Sequence, residues 1–196
     1  MQRIGKIASV GAVAVAAAFS LSACGGDDTA TGAVAQQPSA PAAPSSLVAP
    51  AGAASKGREC TADDIKTTGT FGQAPTITIP DDCDPPKKLI TKDLVPGTGN
   101  GAKAGQELSM NYTLITWSDK KKLDSSFDRG EPFDVHLGAG EVIPGWDQGL
   151  VGIKQGGRRL LIIPPDLGYG QGGNGIAPNE TLVFVTDAVA VPNDKS

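Results

Sequence analysis

One histidine and three cysteines are spread over 196 residues, and that scarcity excludes several chemistries at once. His136 falls on the outward phase of the alternating stretch Phe133-Asp134-Val135-His136-Leu137. It reads as a surface imidazole, not as the base of a nucleophilic pair. Two cysteines and one distant His are too few ligands for zinc, and no metal or cofactor is expected. Basic runs are scarce too: Lys120-Lys121-Lys122 is the longest, in a chain of formal net charge −4. It reads as a solvated hairpin tip, and the charge balance argues against a nucleic-acid partner. The apolar run from Ile7 to Phe19 is too short for a convincing membrane span. Gly170-Gln171-Gly172-Gly173-Asn174-Gly175 formally matches G-x-G-x-x-G. No strand leads into it, however, and Ile176-Ala177-Pro178 cannot start the required helix, so it is a loop.

What is present divides the chain unevenly. Arg3 and Lys6 precede the apolar run, and Leu21-Ser22-Ala23-Cys24 follows it. That order fits a secretory signal peptide over 1–23, and the small residues before Cys24 resemble a bacterial lipobox that leaves Cys24 lipidated. Cleavage there removes two cations and no acid, so the net charge falls from −4 to −6. Residues 24–55 are Ala, Pro, Ser, Gly and Gln with few large apolar side chains; they read as a disordered tether reaching about 30 Å. Cys60 and Cys83 then form an even pair in an exported chain and read as a disulfide. They bracket an extension, 56–86, with one alternating strand at Thr76-Ile77-Thr78-Ile79. It is too small for a core of its own and is expected to pack on the main domain.

The main domain is expected over 87–192, with a short tail at 193–196. Lys88 to Val95 reads as a strand. Leu108, Met110, Tyr112 and Leu114 alternate with polar residues, and Phe133, Val135 and Leu137 share a second inward face. Arg158 to Ile163 is apolar enough for a central strand, and Leu182 to Val191 is the last one. Ahead of the central strand, Ile143, Trp146 and Leu150 fall on one face of a short helix that Pro144 opens. Five to six antiparallel strands wrapped around one short helix make an α+β domain.

The run from Tyr112 to Phe184 contains DSS-x-DRG-x-PF, GEVIPGW, P-x-x-GYG and NETLVF. With these motifs, roughly residues 88–191 resemble the FKBP-type peptidyl-prolyl cis/trans isomerases. The resemblance implies an FKBP-like fold and rotation about X–Pro bonds. It assigns Asp124, Tyr169 and Tyr112 to catalysis. Phe133, Val142, Ile143, Trp146, Ile176, Phe184, Leu123 and Arg129 are assigned to substrate binding. Leu123 stands where the most active relatives carry Phe, which leaves a second reading open: a proline-segment binding module or chaperone with little turnover. The expected partners are proline-containing exported polypeptides and macrolide FKBP ligands. The expected setting is a monomer lipid-anchored on the outer face of a bacterial cytoplasmic membrane.

Overall fold

Arg158–Ile163 is buried at all six positions, which a strand achieves only when both faces of its sheet are covered. The computed structural model describes residues 54–192. The expected signal peptide, the lipidated Cys24, the tether up to residue 53 and the tail at 193–196 lie outside the described residues.

In chain order the elements are β1 (Lys66–Thr68), β2 (Thr76–Thr78), β3 (Ile90–Val95), β4 (Thr98–Gly101), β5 (Glu107–Thr116), β6 (Lys122–Ser125), α1 (Ser126–Arg129), β7 (Phe133–His136), α2 (Pro144–Gly149), β8 (Lys154–Gln155), β9 (Arg158–Ile163) and β10 (Leu182–Ala190). The main sheet has six strands in the order β3-β9-β10-β5-β6, with β7 also paired to β5. All of these pairings are antiparallel. The outer edge of β5 is thus shared: β7 takes Glu107 to Met110, and β6 takes Thr113 to Ile115. Between them the ladder lapses, and the Ser126 hydroxyl fills the gap by accepting the Tyr112 N–H at 2.9 Å. Splitting the edge this way lifts the 126–132 segment off the sheet and opens a hollow beside Tyr112.

One face of the sheet carries Leu108, Met110, Leu114, Leu161, Ile163, Leu182 and Phe184 against Trp146 and Leu150 of the α2 segment. The helix approaches closely because Gly145 has no side chain: a Cβ there would lie 2.4 Å from Ile163 Cγ2. The alternate residues Leu160, Ile162, Val183 and Val185, with Ile115 and Trp117, face the other way. They pack against Cys60, Ile65, Ile77, Ile79 and Cys83 of the extension.

The extension is held in three ways. Cys60 and Cys83 are disulfide-bonded, beside backbone bonds from Cys60 N–H to Asp84 O and from Asp84 N–H to Arg58 O, both 2.8 Å. Lys120, which the sequence places at a solvated tip, instead pairs with Asp81 and donates to Pro80 O at 3.3 Å. A buried ion pair between Arg158 and Asp187 reaches the 69–73 loop. Arg158 donates to Gly69 O at 2.9 Å and Gln73 O at 2.6 Å, and Asp187 accepts the Gly72 N–H at 2.7 Å. Among the described residues, no helix is long and apolar enough to cross a membrane.

The disulfide closes a loop with a sequence separation of 23. Chain entropy then sets its contribution at about 3 kcal/mol. Urea unfolding with and without reductant is expected to differ by that amount, and a difference under about 1 kcal/mol would assign the pinning to Arg158 and Asp187 instead.

Candidate functional site

The hollow beside β5 is a cavity of about 410 Å³, and Trp146 is its floor. Pro144 starts α2, and the Trp146 and Asp147 N–H groups both return to Ile143 O. Asp147 turns back to accept the Gly138 N–H at 2.7 Å and the Gly140 N–H at 3.1 Å. The loop before the helix is thereby folded down, and Val142 and Ile143 join the cavity wall.

Three further rings stand edge-on to the indole. Tyr112 is 5.3 Å away at 87°, Phe184 5.4 Å at 76° and Phe133 6.1 Å at 77°. These are the favoured edge-to-face geometries for aromatic pairs. Phe184 and Trp146 are buried, but Phe133 is 40% exposed. It shares its strand face with buried Val135, yet it faces an open cavity where Val135 faces core. The Trp146 indole N–H is buried and meets no acceptor among the described residues, so the ring is held by packing.

A polar cluster borders this apolar floor. Asp124 accepts hydrogen bonds from the Tyr112 hydroxyl, from Arg129 Nη1 at 2.5 Å and from the Ser125 N–H at 2.7 Å. Arg129 Nη2 also donates to Tyr112 Oη at 2.9 Å, and its guanidinium lies 5.5 Å from the Tyr112 ring centre. Burial pushes the Asp124 pKa up, but the bonds from Tyr112, Arg129 and the Ser125 N–H outweigh it and the net shift is downward. Burial, then the hydrogen bond to ionised Asp124, raises the Tyr112 pKa. The Tyr112 hydroxyl stays neutral, and Asp124 stays charged and oriented.

On the far wall, Tyr169 follows the 3₁₀ turn Pro165–Leu167. Its hydroxyl has no hydrogen-bond partner among the described residues. The loop after it doubles back in a short hairpin, with Gly173 and Ile176 exchanging backbone bonds of 3.0 and 2.9 Å. Asn174 and Gly175 take the left-handed backbone this turn requires, φ +54° and +80°.

Eight residues singled out in the sequence line the cavity: Tyr112, Asp124, Phe133, Val142, Ile143, Trp146, Tyr169 and Phe184. Three do not. Ile176 is buried in the core cluster and anchors the hairpin loop. Leu123 lies 39% exposed on β6, and Arg129 reaches the cavity only through Asp124 and Tyr112. The cavity also takes Leu114, Glu141 and Asn174. Leu114 is the next inward position after Tyr112, a signal that strand alternation carries. Glu141 precedes Val142 on the same loop, and Asn174 sits in an Asn-Gly turn.

The sequence profile of the family described as FKBP-type peptidyl-prolyl cis-trans isomerase matches residues 99–188. An FK506-binding protein of Streptomyces anulatus is 51% identical over 111 residues, covering 55% of this chain and 90% of that protein. An FK506-binding protein of Neisseria meningitidis serogroup B is 44% identical over 106 residues, 53% of this chain and 95% of the relative. Among solved structures, FkpA from Escherichia coli aligns with a TM-score of 0.50 and 40% identity over 54% of this chain and 48% of that one. The six-stranded antiparallel sheet over a short helix, together with relatives matched over nine-tenths of their length, shows that the chain belongs to the family of FKBP-type peptidyl-prolyl cis-trans isomerases.

Proposed function

We propose that the chain turns X–Pro bonds of exported polypeptides in the Trp146 cavity, as a monomer lipid-anchored through Cys24 on the outer face of a bacterial cytoplasmic membrane. The observation that carries the catalytic part is four rings gathered on one floor beside an ionised, triply hydrogen-bonded Asp124. Rotation about an X–Pro amide makes and breaks no bond to another group, so it needs neither nucleophile nor base. The barrier, about 18–20 kcal/mol, is amide resonance. Twisting removes that resonance and most of the C–N charge separation. An apolar cavity disfavours the polar planar amide and accepts the twisted one, which is binding selective for the transition state. Trp146, Phe133, Phe184, Val142 and Ile143 seat the proline ring. The free Tyr169 hydroxyl donates to a substrate carbonyl, and Asp124, through Tyr112 and Arg129, orients the rim. The same cavity takes macrolide FKBP ligands, which are expected to compete with the peptide.

The exported setting is supported by the lipobox-like Leu21-Ser22-Ala23-Cys24 and by the Cys60–Cys83 disulfide, a bond of oxidising compartments. Cys24→Ala is expected to release the protein from membranes, and retention would sink the anchor.

A cis-to-trans assay on short X–Pro peptides tests the activity. Asp124→Val is expected to lower kcat/KM about tenfold or more, the scale of a charge-assisted network. Tyr169→Phe is expected to lower it about two- to tenfold, one neutral hydrogen bond. A wild-type rate no faster than buffer would overturn the proposal.

The pH profile follows from Asp124. Its folded-state pKa is depressed, so the network is intact above the ordinary carboxylate value and loosens only as pH falls through the lowered one. For a peptide with an uncharged residue before proline, kcat/KM should therefore hold constant from neutrality to below about pH 3.9. An acid limb centred above that value would contradict the hydrogen-bonded, ionised state.

A further inference from the structure

Glu141 lines the cavity beside Val142, yet amide rotation gives it no task. The other lining acid, Asp124, is already neutralised by Arg129. The Glu141 side chain is 57% exposed, and its carboxylate is met by His136, whose Nδ1 lies 2.9 Å from Oε2. His136 follows buried Val135 on β7 and therefore points away from the core. It stands among acids. Glu107 faces it across the ladder from β5, with Oε1 at 3.9 Å from Nε2; Asp134 is on its own strand, and Glu141 comes from the loop before α2. The Glu141 hydrogen bond and charge, with smaller contributions from Glu107 and Asp134, raise the His136 pKa.

We propose that Glu141 is a charge-selecting residue of the cavity mouth, favouring substrates with a cationic side chain immediately before the proline, and that His136 masks this preference by pairing with it. The assignment rests on the Trp146 cavity being the site of isomerisation. While His136 is protonated, the Glu141–His136 pair presents no net charge to an incoming peptide. Once His136 is neutral, Glu141 presents a full negative charge at the mouth. Asp124 does not change over this range, because Arg129 and Tyr112 keep it ionised and paired at far lower pH. His136 is the single histidine of the chain, and between about pH 5.5 and pH 8.5 histidine is the side chain whose ordinary pKa lies in the window. The sign is fixed: a raised histidine pKa keeps the preference masked at the acid end, and the preference emerges as pH rises through that pKa. His136 is a positioning residue here and touches no substrate.

The test compares kcat/KM of the full chain on three peptides that differ only in Lys, Gln or Glu before proline, from about pH 5.5 to about pH 8.5. The Lys-to-Glu ratio is expected to rise about threefold across that range, the size of a solvent-screened charge interaction. Glu141→Gln should abolish the rise and lower the ratio. His136→Gln should hold the ratio at its high-pH value throughout. About 1 M salt, with a Debye length near 3 Å, should flatten it in the wild type. A ratio unaffected by Glu141→Gln, or a rise that survives His136→Gln, overturns the proposal. Turnover of the Gln-Pro peptide with a flat ratio overturns only the role of Glu141. Failure to turn over any of the three overturns the cavity as the active site.

Discussion

Asp187→Ala is expected to destabilise the protein by about 3–5 kcal/mol, because it leaves the Arg158 guanidinium charged and unpaired in the interior. The two side chains are 2% and 1% exposed, with Arg158 Nε 2.5 Å and Nη2 2.8 Å from the carboxylate. Arg158 would keep its bonds to Gly69 O and Gln73 O, but two neutral carbonyls cannot replace the counter-charge. The Gly72 N–H would lose its acceptor as well. The loss therefore spreads to the extension, whose 69–73 loop is held by this pair. If that loop lifts, the apolar face formed by Leu160, Ile162, Val183 and Val185 meets water. Urea unfolding should show a lower midpoint. The double replacement Arg158→Met with Asp187→Leu should recover much of the loss, since apolar isosteres of a buried pair are often neutral or better. A loss under about 1 kcal/mol for Asp187→Ala alone would mean that water reaches the pair.

That pair marks the limit of what the sequence reveals. Arg158 begins a run that reads as a central strand, and Leu160 to Ile163 forms it. Alternation along β9 sends Leu161 and Ile163 to α2 and Leu160 and Ile162 to the extension. A continuous apolar run implies two covered faces, but it does not name what covers them. The partners of Arg158 lie 29, 85 and 89 residues away, and no local pattern encodes such distances. Elements without a period are equally hidden. β8 has two residues and α1 four, too few for alternation or a 3.6-residue repeat to register. The site is legible by two routes. Strand alternation puts Tyr112 and Leu114 on the inner face, whereas Tyr169 and Asp124 come only from the motifs that resemble the family. Glu141 carries no signal of its own, because its contact with His136 depends on how Asp147 folds the intervening loop.

Trp146→Ala is expected to cost about 3–5 kcal/mol, the range for truncating a large buried aromatic, and to remove isomerase turnover. The indole is 3% exposed, and three rings pack edge-on against it. Helix α2 has six residues, and so short a helix does not stand without tertiary packing; Trp146, Leu150 and the close seat of Gly145 on Ile163 supply that packing. The same ring faces the cavity, so one truncation removes both the anchor of the helix and the floor proposed for the proline. Trp146→Leu separates the two roles. It keeps apolar volume in the core, so the protein should remain folded by urea titration, yet it lacks the flat face on which a five-membered ring rests. Its kcat/KM is expected to fall about tenfold or more, equivalent to about 1.4 kcal/mol or more of transition-state binding. Wild-type kcat/KM in a folded Trp146→Leu would make the indole core alone and move the chemistry elsewhere. A stability loss below about 1 kcal/mol in Trp146→Ala would deny it the anchoring role. Both effects from one ring are the signature of a cavity whose floor is also the centre of the core.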